Sequence, residues 1–347
     1  MKLKTCMLSL VSLLMLAPSC KKIYEENYYN TTQESVYNYE YYQKVLLDQK
    51  EITDDFRPPY LKKGDTVAVF AASNKVTRSE LSAGIAKLKS WGLNVVEADN
   101  LYEDDGRYAG TQSDRILGLQ KLIDNPNIKA LFSARGGYGA AQVIPFLDLE
   151  KLKEQPKWAI GYSDVTALHA ALNNLGIESI HGPMVNKMTD AESVETLRKA
   201  LFGEEVSYSI TTNSDCVIGK GEGRLVGGNL SLIYSLGGTL FDLNAKDAIL
   251  LIEDTGESNY HLDRMLTNLK LSGKLDCIKG LVVGEFTNMN QGSDRPINEI
   301  ILNNVKDLGI PVMYGLNVGH GSTNYAVYMG RKAKLVVAND KATLTFE

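Results

Sequence analysis

From residue 59 onward, short apolar runs alternate with segments whose apolar residues recur every three or four positions. Thr66-Val-Ala-Val-Phe-Ala-Ala is β-branched and apolar, and predicts a buried strand. Residues 79–92 place Leu81, Ile85, Leu88 and Trp91 at helical spacing and end on Gly92, which predicts a helix. The same logic gives strands at Val95-Val96, 130–134 and 158–162, with helices at 115–123, 138–146 and 165–175. Strands alternating with helices imply a parallel sheet covered by helices. Residues 186–217 break the pattern with polar, Ser/Thr-rich sequence and read as a linker. Beyond it, strands are expected near 223–227, 248–252, 280–284 and 334–337, and helices near 230–236, 262–271 and 297–308. The expectation is an α/β protein of two domains, 59–185 and 218–347, with no internal repeat.

The N-terminus follows other rules. Lys2 and Lys4 precede an apolar stretch from Cys6 to Leu16, too short for a spanning helix, which needs about 20 apolar residues. Ala17-Pro-Ser-Cys20 then resembles the lipobox of a bacterial lipoprotein. On that reading 1–19 is a signal peptide and Cys20 carries lipid; the bland alternative is a secretory signal with an incidental Cys. Two or more acyl chains anchor a protein stably where one does not. The expected location is the cell envelope, at the outer membrane of a Gram-negative bacterium. Residues 20–58 are polar and rich in Tyr, without sustained periodicity, and read as a tether. A flexible coil of about 40 residues spans roughly 35 Å.

Composition narrows the class. The chain has 347 residues, 44% hydrophobic and 23% charged, which excludes a disordered or collagen-like chain. A net charge of −5 with no Lys/Arg block argues against nucleic acid as a partner. Cys6, Cys20, Cys216 and Cys277 are too scattered for a disulfide scaffold or for metal-ligand spacing.

Four places could carry chemistry. In Gly161-Tyr-Ser-Asp164 a strand ends, the chain turns and a helix starts. Ser163 there fits a nucleophile elbow beside a helix N-terminus; equally, Ser163 or Asp164 fits an N-cap. Arg135-Gly-Gly-Tyr-Gly139 follows another strand, and its glycines allow close backbone approach to a ligand. It has neither P-loop nor dinucleotide-binding spacing. Glu253-Asp254 ends a buried apolar run, either in the ligand crevice of an α/β sheet or as a cap for the next helix. Of the four His, His169 reads as structural, His261 as a cap or surface residue and His181 as a turn residue near the site. His320, in Asn317-Val-Gly-His-Gly-Ser322, is the best candidate base. Arg135, Gly136, Tyr138 and His181 are candidates to touch substrate.

Together these segments resemble the serine LD-carboxypeptidases, the muramoyl-tetrapeptide carboxypeptidases, and their relatives the microcin C immunity peptidases. The resemblance runs from about Pro59 to Lys334. It is carried by Leu61-Lys-Lys-Gly-Asp, Tyr108-Ala-Gly-Thr with Asp114-Arg115, Asn125-Pro-Asn-Ile-Lys-Ala and Arg135-Gly-Gly-Tyr-Gly. It continues through Ile160-Gly-Tyr-Ser-Asp, His181-Gly-Pro, Gly223-Arg-Leu-Val-Gly-Gly-Asn-Leu, Ile252-Glu-Asp and Asp263-Arg-Met-Leu266. The resemblance implies a Ser-Glu-His triad of Ser163, Glu253 and His320, with backbone N–H groups of Gly137 and Asp164 as oxyanion hole. It also implies an N-terminal domain like class I glutamine amidotransferases, a C-terminal swivelling domain, a homodimer, a murein peptide substrate, and neither cofactor nor metal. Gly321-Ser322 after His320 departs from the immunity branch and favours the cell-wall branch.

The first expectation is hydrolysis of the bond between an L-centre diamino acid and terminal D-Ala. The alternatives are a detoxifying amidase and a solute-binding lipoprotein, which would leave Ser163 unexplained. An α/β-hydrolase esterase lacks support, since Gly-x-Ser-x-Gly does not occur.

Overall fold

The computed structural model describes Ile52 and residues 55–347. The expected signal peptide, Cys20 and nearly all of the tether lie outside these residues. In the first half β1 (Thr66–Phe70), α1 (Arg78–Ser90), β2 (Asn94–Glu97), α2 (Gln112–Asp124) and β3 (Ile128–Ser133) follow one another. Then come α3 (Ala140–Val143), α4 (Lys151–Glu154), β4 (Trp158–Gly161), α5 (Thr166–Asn174) and β5 (Ser179–His181). The first two helices begin at reciprocal caps, Thr77 with Glu80 and Thr111 with Asp114. Every residue of β4 is buried, as expected of a central parallel strand covered on both faces.

The segment expected as a linker is structured. It holds α6 (Ala191–Phe202) and β6 (Ser207–Thr211). Asp190 caps the helix by accepting from Ser193 N at 2.8 Å, and Gly203 ends it with φ of 76°. The second half adds β7 (Gly219–Asn229), α7 (Leu230–Leu236), β8 (Ile249–Thr255), α8 (Asn259–Leu271), β9 (Gly280–Thr287), α9 (Ile297–Val305) and β10 (Val312–Gly319). β11 (Val327–Met329), β12 (Lys332–Val337) and β13 (Lys341–Phe346) complete it.

Two sheets result. The first has the order β11-β5-β4-β3-β1-β2, and the second β10-β9-β8-β7-β12-β13-β6. In the first, β1 to β5 pair in parallel and β11 adds an antiparallel edge. That edge comes from within 218–347, so the second expected domain lends a strand to the sheet of the first. In the second, β7 to β10 pair in parallel, whereas β12, β13 and β6 pair antiparallel. The difference follows from burial. β8 is buried from Ile249 to Asp254, while β12 alternates exposed Lys332 and Lys334 with buried Ala333 and Leu335. The tether also ends early: Phe56 N donates to Gly176 O at 2.8 Å, and Arg57 pairs with buried Glu178 at 3.0 Å.

α5 joins the sheets. It is buried from Thr166 to Asn173, and its buried polar side chains, Thr166, His169 and Asn173, are all hydrogen-bonded. At its start Thr166 Oγ1 accepts from Asn229 N at 2.9 Å, and at its end Asn173 O accepts from Arg224 at 3.0 Å. Both donors belong to β7. The C-terminal ends of β4 and β5 are thereby held against those of β7 and β8.

Candidate active site

β4 ends at Gly161, Tyr162 is extended, and the chain turns through Ser163 into a single 3-10 turn, Ser163–Val165, before α5. Ser163 has φ of 62°, one of three non-glycine residues with positive φ among those described. Such a backbone costs an L-residue about 1–3 kcal/mol and collects at functional sites. Neither Ser163 nor Asp164 caps its own helix. Asp164 is buried and accepts from Ser73 Oγ and, at 2.8 Å, from Ala140 N at the start of α3. Burial raises its pKa, against those hydrogen bonds and the Arg115 charge. The aspartate therefore ties the turn to the glycine-rich segment before α3.

That segment closes over the serine. A Cβ at Gly136 would lie 3.3 Å from Ser163 Oγ, and one at Gly137 would lie 2.2 Å from the Asn74 carboxamide carbon. With φ of 118°, Gly137 has neither space nor backbone freedom for a side chain. Asn74 Oδ1 accepts from Tyr138 N at 3.3 Å and fixes the loop. The Gly137 N–H makes no hydrogen bond among the described residues.

The second sheet supplies a carboxylate and an imidazole. Glu253 lies near the C-terminal end of β8 and His320 directly follows β10, so both stand at the edge where α/β sheets bind ligands. His320 Nδ1 is 2.6 Å from Glu253 Oε2. Gly319 makes this approach possible, since a Cβ there would lie 2.6 Å from the same oxygen. Glu253 is fully buried. Burial works to raise its pKa, but the His181 and His320 imidazoles outweigh it and the net direction is down. For His320 burial works downward, the Glu253 hydrogen bond and charge work upward, and the net direction is up. Both directions describe one attraction. The His320 ring packs edge-on against Tyr162, with centroids 4.9 Å apart, and so stands beside the residue preceding Ser163. The Ser163 hydroxyl makes no hydrogen bond among the described residues. Catalytic hydrogen bonds often form only once substrate is bound.

The neighbouring carboxylate has a different task. Asp254 accepts from Asn229 Nδ2 at 2.8 Å and from Ser231 N at 2.9 Å, holding the start of α7. The expected cap for the helix after β8 is absent: α8 has Ser258 at its N-cap with no side-chain bond.

The remaining expected residues divide. Tyr138 is exposed, and half-exposed Arg135 pairs with Glu80 at 3.3 Å, both beside the loop over Ser163. His181 does not reach the surface: it is completely buried, so it cannot touch substrate as expected. His169 is structural, with ring nitrogens 2.9 Å from Ser179 Oγ and Gly161 O, and burial pushes its pKa down to about 3. His261 pairs with Glu257. Three residues were not anticipated: Ser73 and Asn74 after β1, and Glu285 on β9, whose carboxyl burial pushes upward. Only the position of Ser73-Asn74 at the end of an apolar run could have flagged them.

Residues 67–182 match the LD-carboxypeptidase N-terminal domain and residues 222–335 the LD-carboxypeptidase C-terminal domain. Ser163 falls in the first, and Glu253 and His320 in the second. The chain is 34% identical over 301 residues to a probable murein peptide carboxypeptidase of Bacillus subtilis, covering 84% of this chain and 94% of the relative. It is 29% identical to the murein tetrapeptide carboxypeptidase of Pseudomonas aeruginosa, covering 78% and 92%. Among solved structures, the muramoyltetrapeptide carboxypeptidase from Oxalobacter formigenes superposes with a TM-score of 0.75 at 28% identity, covering 81% and 98%. The microcin C7 self-immunity protein MccF superposes with a TM-score of 0.75 at 25% identity, covering 84% and 98%.

Proposed function

The chain belongs to the LD-carboxypeptidase family, and from that premise we propose that it releases terminal D-Ala from murein tetrapeptides through Ser163, His320 and Glu253. The observation that carries this reading is the His320–Glu253 pair, 2.6 Å apart, beside the Ser163 turn. A serine hydroxyl is a weak nucleophile until a base takes its proton. His320 Nδ1 is held by Glu253, so Nε2 is the nitrogen that takes it. The serine oxygen adds to the scissile carbonyl, and the oxyanion is received by the N–H groups of Gly137 and Asp164. Losing one such donor costs about 3–4 kcal/mol. The imidazolium returns its proton to the departing D-Ala amine, and the acyl-enzyme remains on Ser163. Water, deprotonated by the same imidazole, hydrolyses it. Glu253 fixes the tautomer and balances the imidazolium charge.

Incubating the enzyme with a defined tetrapeptide and following D-Ala by mass spectrometry tests the reading. Release by the wild type and none by Ser163→Ala supports it; release by both removes the nucleophile assignment. The likeness to the self-immunity protein, one structure of which is a complex with aspartyl sulfamoyl adenosine, favours a second reading, an amidase acting on aminoacyl-nucleotide analogues. Turnover of such an analogue with none of the tetrapeptide would select it. The proposal also includes export and lipidation at Cys20, so that fatty acid labels the wild type but not Cys20→Ala, and a homodimer measurable by light scattering.

A further inference from the structure

Glu253 has two carboxylate oxygens, and one of them is unsatisfied. Oε2 faces His320, while buried Oε1 makes no hydrogen bond. His181, the last residue of β5, is completely buried, and neither of its ring nitrogens has a partner. Its Nε2 lies 3.7 Å from Glu253 Oε1. Two orphaned polar atoms, His181 Nε2 and Glu253 Oε1, thus face each other where the first sheet touches the second. A buried polar group left unpaired is destabilising, because it gives up its hydrogen bonds to water and gains none in return. An apolar side chain at 181 would avoid that cost, so packing does not account for an imidazole here.

The surroundings narrow what His181 can do. Its ring lies against Tyr162, with centroids 5.8 Å apart, and against His169 at 6.3 Å. His169 is already engaged on both nitrogens by Ser179 and Gly161. With no exposed surface, His181 meets neither solvent nor substrate. What remains within reach is Glu253.

We propose that His181 is a positioning residue of the triad: when substrate is bound, its Nε2–H closes onto Glu253 Oε1 and clamps the carboxylate between two imidazoles. The movement is under about 1 Å, from 3.7 Å to ordinary hydrogen-bond length. A carboxylate held at both oxygens cannot rotate off His320 and stays ionised despite full burial. That is the state in which it can stabilise the imidazolium formed when Ser163 gives up its proton. The inference rests on the triad described above. The other titratable groups around the cluster are Asp254 on β8, Glu285 on β9, Tyr162 and His169 from the first sheet, and Lys187 beside His320.

His181→Leu, His181→Gln and His181→Asn in the full chain test it, with D-Ala release measured across pH and Ser163→Ala as control. His181→Leu should lower kcat roughly 10- to 100-fold with KM unchanged. It should also move the acid limb of kcat/KM to lower pH, because a less ionised Glu253 supports His320 less. Glutamine carries an amide N–H to about the place of imidazole Nε2 and should restore most of kcat; asparagine, one methylene shorter, should not. If the leucine variant does not fold, the Gln/Asn pair decides, and equal kcat in those two overturns the proposal. A raised KM at normal kcat overturns it in favour of substrate contact. A lower kcat with an unmoved pH profile overturns it in favour of packing. Wild-type activity in Ser163→Ala would instead overturn the triad, whatever His181 does.

Discussion

At the end of β4 the chain turns through Ser163 with φ of 62°, whereas at the end of β8 the chain runs extended through Glu253 and its peculiarity is electrical. The serine end is built from backbone. A strained residue, two glycines and the Asn74 carboxamide fix where one hydroxyl stands. The Glu253 end is built from charge. A carboxylate with no exposure is kept ionised by imidazoles, and it holds His320 protonated more readily than in water. Backbone strain sets position and a buried ion pair sets proton affinity, so substitutions at the two ends should fail in different ways.

The largest effect is expected at the serine. Ser163→Ala should lower kcat by about 10⁴-fold or more, with Tm nearly unchanged, because alanine bears the same strain. A kinetic assay beside a melt measures both. Glu253→Gln keeps the shape and removes the charge; by comparison with triad acids, kcat should fall by roughly 10⁴-fold. Asp254→Ala provides the contrast one residue away. It removes the acceptor for Asn229 and Ser231, so denaturant unfolding should show a loss of about 1–3 kcal/mol while kcat changes little. If the two acids behave alike, the division between catalytic and capping carboxylate is wrong. The smallest effect is in stability at the turn. Ser163→Gly removes strain of about 1–2 kcal/mol, and the greater freedom of unfolded glycine returns roughly 0.5–1 of it. The protein should melt slightly higher with no activity; a lower melt would mean that the positive φ stores no strain.

What could be read in advance divides along the same line. The serine turn was legible because its information is local: apolar strand, Gly-Tyr-Ser-Asp, helix. The choice between elbow and cap was not, because Asp164 caps α3, a helix that precedes it in the chain and is joined to it only by the fold. Glu253 was legible as a carboxylate at the end of an apolar run, but its role depends on a histidine 67 residues away that no local pattern connects to it. His320 was legible as a candidate base from its glycine-rich loop, but its pairing with Glu253 and Ser163 came only from the family resemblance. His181 was placed near the site yet expected to face substrate, since burial between two sheets cannot be read from a His-Gly-Pro turn. Strand β11 has three residues, too few for any period to register. The helix at 191–202 is a different case. Asp190, Val194, Leu197, Leu201 and Gly203 are an ordinary start, stripe and stop, hidden among polar neighbours.

On the proposed mechanism, a charge buried in the second sheet sets the base that activates a serine in the first. The pH dependence of kcat/KM for D-Ala release, in the wild type and in Glu253→Gln, tests it most directly. A base must be unprotonated to act, and Glu253 raises the His320 pKa. Wild-type activity should therefore fall as pH drops through a value above the ordinary imidazole pKa of about 6.5. In Glu253→Gln the same limb should move to lower pH. An acid limb at the same pH in both proteins, or none above pH 4, would contradict the claim.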